Sequence, residues 1–180
     1  VKIIRILGPE EFHPFEEELT RIYRAAFAEP PWHEVFSDRE VREWFEEMLS
    51  FSRYIVLVAV KDGIPLGSTF CFPLEFKKDL LEYLPQGVSG KEVLYLAELF
   101  VDPERRRKRI GETLLMKSLE LGKEEGLRST LQRTSVDSGA FPLAKKNNFK
   151  LVGEQEVESR KFIRGKEIFE KDTRVILLKL

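Results

Sequence analysis

Leu94 to Leu115 reads LYLAELFVDPERRRKRIGETLL. An apolar run holding one carboxylate, Glu98, passes through Asp102-Pro103 into five consecutive cations, Arg105, Arg106, Arg107, Lys108 and Arg109, at the head of an apolar-periodic helix. Aligned peptide dipoles give a helix N-terminus roughly half a positive charge, so cations ordinarily favour the other end. Their placement makes sense if a multiply charged anion, phosphate above all, docks where free N–H groups and basic side chains converge. Two blander readings compete: a solvated basic patch, and a nucleic-acid site. The second needs a broad basic face or aromatic platforms, and neither is visible.

Working outward, Val93 to Val101 is apolar on both alternating faces, as a central strand covered on both sides must be, with Glu98 the exception. The helix that follows runs from about Ile110 through Leu114, Leu115, Leu119 and Leu121 to a stop at Gly126. Upstream, Val1 to Leu7 reads as a strand ended by Gly8-Pro9. Leu19, Ile22, Tyr23, Ala26 and Phe27 recur at helical spacing until Pro30-Pro31, and Ser37 or Asp38 caps a second helix through Val41, Trp44, Phe45, Met48 and Leu49. Tyr54 to Val60 and Pro65 to Pro73 read as a hairpin turned at Asp62-Gly63. Downstream, Arg128 to Thr134 is a strand, Phe141 to Asn147 a short helix, and Phe149 to Val157 and Thr173 to Leu180 two further strands with a turn at Gly165. Strands and helices that alternate in the middle, with hairpins at either end, predict an α/β chain. Its mixed, mostly antiparallel sheet has helices on both faces.

The 180 residues, 42% of them hydrophobic, suit a single domain spanning 1–180. Thirty basic against thirty-one acidic residues leave a formal charge of −1, so no global field draws the chain to nucleic acid or to anionic lipid. The lone Cys71 reads as a buried small hydrophobe, and His13 and His33 have no second ligand at metal spacing, so no metal is expected. No apolar run approaches the roughly 20 residues that span a bilayer, and the reading is of a soluble cytoplasmic protein.

The segment Leu99 to Leu115 resembles the acetyl-CoA motif of the GNAT superfamily of N-acetyltransferases, where a strand and a Val-x-Pro-like turn lead to Arg/Gln-x-x-Gly-x-Gly/Ala and a helix. Ala140, Leu143, Lys146 and Phe149 fit the superfamily's downstream Asn-x-x-Ala and Leu-Tyr-x-Lys-x-Gly-Phe pattern. The resemblance implies a GNAT-like fold of six to seven strands and acetyl-CoA as cosubstrate. It further implies acetyl transfer to an amine, on a small molecule or a peptide, by direct attack in a ternary complex. On the same footing, Leu99, Phe100 and Val101 hold the acetyl group and pantetheine arm, and Arg106, Arg107, Lys108, Arg109, Ile110, Gly111 and Glu112 wrap the pyrophosphate. Asp137 stands where the superfamily often has a cofactor-side Asn.

Three departures bear on these expectations. Arg109 replaces the first glycine of the motif, which requires its φ to be negative and its side chain to point outward. Asn148 replaces a glycine. Ala144 falls where many members carry the tyrosine that protonates the departing thiolate. A non-catalytic acyl-CoA-binding module is therefore the second reading.

Burial raises a carboxylate's pKa towards the range useful to a general base, so Glu98 is the expected base for the amine's proton. Trp32, His33 and Tyr95 are expected to border the acceptor. Phe162, Ile163, Ile168 and Phe169, in a charged hairpin, are open to three roles: lining the acceptor site, forming a homodimer interface, or folding onto the domain.

Overall fold

The computed structural model of the chain describes residues 1–106 and 108–180. Arg107, expected at the pyrophosphate, lies outside the described residues. The elements are β1 (Lys2–Ile6), α1 (Pro9–Ala28), α2 (Asp38–Ser50), β2 (Ile55–Lys61), β3 (Ile64–Pro73), β4 (Val93–Val101), α3 (Ile110–Glu124), β5 (Ser129–Thr134), α4 (Ala140–Lys146), β6 (Lys150–Ile163) and β7 (Lys166–Lys179).

The expected caps and turns form. Ser37 and Glu40 close a reciprocal capping box at the start of α2, and Asp62 and Gly63 take φ of 52° and 81° to turn the β2–β3 hairpin. Three 3₁₀ turns, Leu74–Phe76, Lys78–Tyr83 and Gly90–Glu92, lead from β3 to β4.

The strands form one seven-stranded sheet in the order β1-β2-β3-β4-β5-β7-β6. Among the described residues, only β4 and β5 run parallel, because α3 carries the chain back across one face between them. Helices α1 and α2 cover the opposite face through Phe12, Leu19, Ile22, Tyr23, Val41 and Phe45, while α3 buries Ile110, Leu114, Leu115 and Leu121 against Leu94 and Leu96. Cys71 is fully buried in this second layer, where desolvation lifts its thiol to about 11 and keeps it inert at neutral pH.

Two irregularities in β4 matter for function. Phe70 pairs with Glu98 but Cys71 pairs with Leu96, so Ala97 is an extra residue, a β-bulge. In an unbroken strand Glu98 would share a face with Leu94 and Leu96, against α3. The bulge reverses the parity, and Glu98 and Phe100 join Tyr95 on the α1–α2 face. The second irregularity is that β4–β5 pairing ends at Leu96 and Gln132, although β4 continues to Val101 and β5 to Thr134. The strands part there.

Gly67 keeps the outer edge of the parted strand in place. A Cβ on it would lie 2.4 Å from the Phe100 carbonyl oxygen and 2.9 Å from the Val101 Cα. Backbone cannot step aside as a side-chain tip can, so Gly67→Ala is expected to cost about 2 kcal/mol, the overpacking range for a close-packed core. Urea unfolding measures it; an unchanged midpoint would show that β4 moves freely.

Sequence reading places β6 and β7 too short. Both run to 14 residues, and their distal halves form a charged, largely exposed arm. Charges on both faces of that arm hide the period-two signal that marks a half-buried strand.

Candidate active site

The parted strands open into a cavity of about 790 Å³, within the range of small-molecule sites. Ala97 to Val101 form one wall of it, the start of α3 closes one end, and the α1–α2 connection with the β6–β7 arm closes the other.

At the α3 end, Arg109 is the N-cap residue with φ 58° and ψ 14°, a left-handed conformation. The expectation of a negative φ is overturned. The turn from the Pro103–Arg105 3₁₀ segment into the helix needs this geometry, which glycine meets at no cost and arginine at about 1 kcal/mol. Its side chain is 84% exposed and so does point outward. The first main-chain bond closing α3 runs from Thr113 N–H to the Arg109 carbonyl, so the N–H groups of Ile110, Gly111 and Glu112 have no partner within the helix. A Cβ on Gly111 would meet only Val101 Cγ2, at 3.7 Å, so protein packing does not require a glycine there. The bare backbone leaves room for something approaching from the cavity.

Arg105, Arg106, Arg109, Ile110 and Gly111 line this end, with Arg106 ion-paired to Glu29. Lys108 and Glu112 do not line it: Lys108 is exposed, and Glu112 turns to Lys146 at 2.5 Å. Asp137 is likewise exposed and off the cavity wall, which passes instead through Ser138, Gly139 and Ala140. Ala144 is fully buried in α4 with Phe149, Val175 and Leu177.

Where β4 and β5 part, Gln132 lines the cavity at 5% exposure, and its Oε1 has no hydrogen-bond partner. An unsatisfied buried acceptor costs about 1–3 kcal/mol, and it fits a ligand that brings a donor to the vertex of the cleft. A polyamide arm such as pantetheine supplies N–H groups of that kind.

Beyond the vertex stands Glu98. Trp44 Nε1–H donates to its Oε1 at 2.9 Å and the Tyr23 hydroxyl donates to the same oxygen at 3.3 Å, leaving Oε2 without a protein partner among the described residues. Burial pushes the carboxyl up to about 7. The Trp44 bond opposes that rise, the negative charge of Glu34 adds to it, and Tyr23 and Arg133 oppose it. Glu98 in turn helps hold the Tyr23 hydroxyl protonated, although desolvation is the larger cause. Tyr95 borders the cavity, and burial lifts its phenol to about 12.

Trp32 lines the cavity, whereas His33 does not. His33 takes φ 50° in the connection, and its carbonyl accepts the Phe162 N–H at 2.9 Å, so it is a turn residue. Its neighbour Glu34 lines the wall instead. Sequence reading also placed Tyr23 and Trp44 on apolar helix faces, as core, without their polar tips. Helical periodicity finds the ring and is silent about the N–H or O–H at its edge. The one sequence signal for Gln132 is a lone amide in a strand otherwise destined for burial.

A cleft opened by two parting central strands beside an uncapped helix start is the architecture of an acyl-CoA-dependent transferase. Residues 15–149 match the model of the Acetyltransferase (GNAT) family, and the chain belongs to that family. It is an acetyltransferase with acetyl-CoA as cosubstrate.

Among solved structures it is similar to ribosomal-protein-alanine N-acetyltransferase from Brucella melitensis, at TM-score 0.70 and 18% identity, covering 100% of this chain and 99% of that one. It is also similar to the Sinorhizobium meliloti phosphinothricin acetyltransferase in complex with acetyl-CoA, at TM-score 0.62 and 17% identity, covering 99% and 86%. A third is the PaiA N-acetyltransferase of Thermoplasma acidophilum in complex with coenzyme A, at TM-score 0.56 and 18% identity, covering 99% of each chain. At such identities the likeness concerns the fold. Comparison with curated proteins finds no sequence match. Among the described residues, no helix is long and apolar enough to cross a membrane.

Proposed function

We propose that the chain, as one domain over residues 1–180, transfers the acetyl group of acetyl-CoA to a primary amine by direct attack in a ternary complex. The observation that carries this reading is the bulge at Ala97, which turns a carboxylate with a pKa near 7 into the cavity two residues beyond the last β4–β5 pair.

Acetyl-CoA supplies an activated thioester. Its pyrophosphate rests on the N–H groups of Ile110, Gly111 and Glu112, with Arg105, Arg106 and Arg109 around it. The pantetheine arm runs along Leu99, Phe100 and Val101, which no longer pair with β5. Glu98 removes a proton from the ammonium of the acceptor, directly or through water, and a main-chain N–H near Leu99 or Phe100 faces the oxyanion that forms at the carbonyl. Attack forms the C–N bond and breaks the C–S bond, releasing CoA as a thiolate that takes up the second proton the nitrogen sheds, directly or through water. A thiolate is a tolerable leaving group, so the absence of a phenol at Ala144 slows the last step without forbidding it.

The test joins binding to turnover. Thiol release from acetyl-CoA is followed across a set of primary amines, and acetyl-CoA affinity is measured by calorimetry for the native protein and for Gln132→Leu. The variant removes an unpaired buried acceptor, so the free protein is expected to be at least as stable as the native one, with acetyl-CoA bound roughly 5- to 10-fold more weakly through the lost hydrogen bond. A purely packing role predicts the reverse: lower stability and unchanged affinity.

A further inference from the structure

The end of the cavity beyond Glu98 is roofed. Residues 33–35 add to β6 as a short antiparallel strand: Val35 N–H donates to the Arg160 carbonyl at 2.9 Å, Phe162 N–H to the His33 carbonyl at 2.9 Å, and Glu34 stands opposite Lys161. Side chains bolt the joint. Arg160 donates to Glu40 at 2.6 Å and to the Val35 carbonyl at 3.0 Å, and Arg174 donates to Glu34 at 2.6 Å.

Under this roof the walls are aromatic, with Phe27, Trp32, Phe36 and Trp44 all partly exposed and all lining the cavity. The charges there are unevenly satisfied. Each cation lining this half is within 4.0 Å of a carboxylate: Lys77 and Arg133 of Asp79, Arg160 of Glu40 and Glu167, Arg174 of Glu34 and Asp172. Among the described residues, Glu98 meets only the neutral donors of Trp44 and Tyr23.

We infer that the acceptor is a small, slender primary amine with an apolar, preferably aromatic, skeleton and no carboxylate beside the nitrogen, entering end-on beneath the roof. The inference rests on the acetyl-transfer reading and deepens it. An ammonium is drawn to the unpaired Glu98 and to the ring faces around it, and an apolar skeleton leaves water against those rings. A carboxylate on the same carbon would sit among Glu98 and Glu34, with every nearby cation already engaged, an unfavourable like-charge arrangement. A lysine on a folded protein surface brings its neighbouring backbone with it, which the strand of residues 33–35 that roofs this end of the cavity obstructs.

Initial rates of CoA release are compared for 2-phenylethylamine, for L-phenylalanine, which differs by the carboxylate alone, and for folded ubiquitin as a lysine-bearing protein. The expected kcat/KM for 2-phenylethylamine exceeds that for phenylalanine by 100-fold or more, with ubiquitin at background. Trp32→Leu is expected to raise the KM for 2-phenylethylamine about tenfold while changing kcat less than threefold. Turnover of phenylalanine or ubiquitin at a comparable rate overturns the proposal. Turnover of none of the three, with acetyl-CoA still binding in calorimetry, overturns the acceptor class alone, whereas failure to bind acetyl-CoA overturns the acetyl-transfer reading beneath it.

Discussion

Glu98→Gln is expected to lower kcat/KM by roughly 100- to 10,000-fold, the range for loss of a positioned general base, while leaving acetyl-CoA affinity nearly unchanged. Glutamine preserves the shape and still accepts from Trp44 and Tyr23, so what is lost is the capacity to take a proton. The native enzyme should show kcat/KM rising with pH through an ionisation near 7, because Glu98 acts only when deprotonated and burial sets its pKa there. The variant should lose that inflection and keep only the one belonging to the amine. An unchanged profile would remove Glu98 from the mechanism.

The same substitution should stabilise the free protein. A carboxyl raised in the folded state from 4.5 to about 7 binds its proton more tightly folded than unfolded. Its contribution to stability is therefore complete below about pH 4.5 and lost as pH rises through 7. Above that, holding the charge in place costs about 3 kcal/mol, at roughly 1.4 kcal/mol per tenfold. Neutral glutamine avoids the cost, so at pH 8 the melting temperature should rise by roughly 5 °C or more for a chain of this length. At pH 4.5 the two proteins should melt together. Lost activity combined with gained stability distinguishes a functional carboxylate from one that holds the fold.

Arg174→Ala is expected to destabilise the protein by about 3–5 kcal/mol at pH 8, the usual consequence of removing one member of a buried ion pair. The Arg174 side chain is 6% exposed, binds Glu34 at 2.6 Å and Asp172 at 3.0 Å, and lies 4.4 Å above the Trp32 ring. Lys161 keeps Asp172 company at 2.6 Å, so Glu34 is the carboxylate left exposed to the cost.

Burial already raises the Glu34 pKa, and Arg174 is the largest influence opposing that rise. Without Arg174 the folded value climbs further, and a raised carboxyl loses stability as pH increases beyond its unfolded value near 4.5. The deficit relative to the native protein should therefore be small at pH 4.5 and grow towards pH 8. Arg174→Met keeps the stem packed on Trp32 and separates lost packing from lost charge. Urea midpoints at the two pH values measure both; a deficit equal at each pH would mean that packing on Trp32, not charge, is what Arg174 contributes.

Much of the architecture was legible before any coordinates. Apolar periodicity, Gly and Pro breaks and a cap at Ser37 or Asp38 located each α-helix and β-strand, because each is a local preference written within a few residues. The ends of β6 and β7 were not legible, since a solvated arm carries charges on both faces and lacks the alternation that burial imposes. The cationic helix start at one end of the cavity was readable from the basic run and Gly111. His33 and Asp137 were misplaced because motif spacing fixes a residue's position along the chain and not the direction of its side chain.

By itself the sequence determined the order of elements, a mixed and mostly antiparallel sheet, and a lone acid in an apolar strand beside a cationic helix start. Tertiary structure decided which way that acid faces. One unpaired residue at Ala97 inverts the side-chain parity of β4, and no local signal in LYLAELFV announces it, because the bulge arises from register against β3, where Phe70 pairs with Glu98 and Cys71 with Leu96. The pairing of Trp44 with Glu98, the unsatisfied Gln132 and the roof of residues 33–35 on β6 likewise exist only where distant segments meet. Contacts of that separation follow from the packing of the whole sheet, and chemistry at this site depends on them.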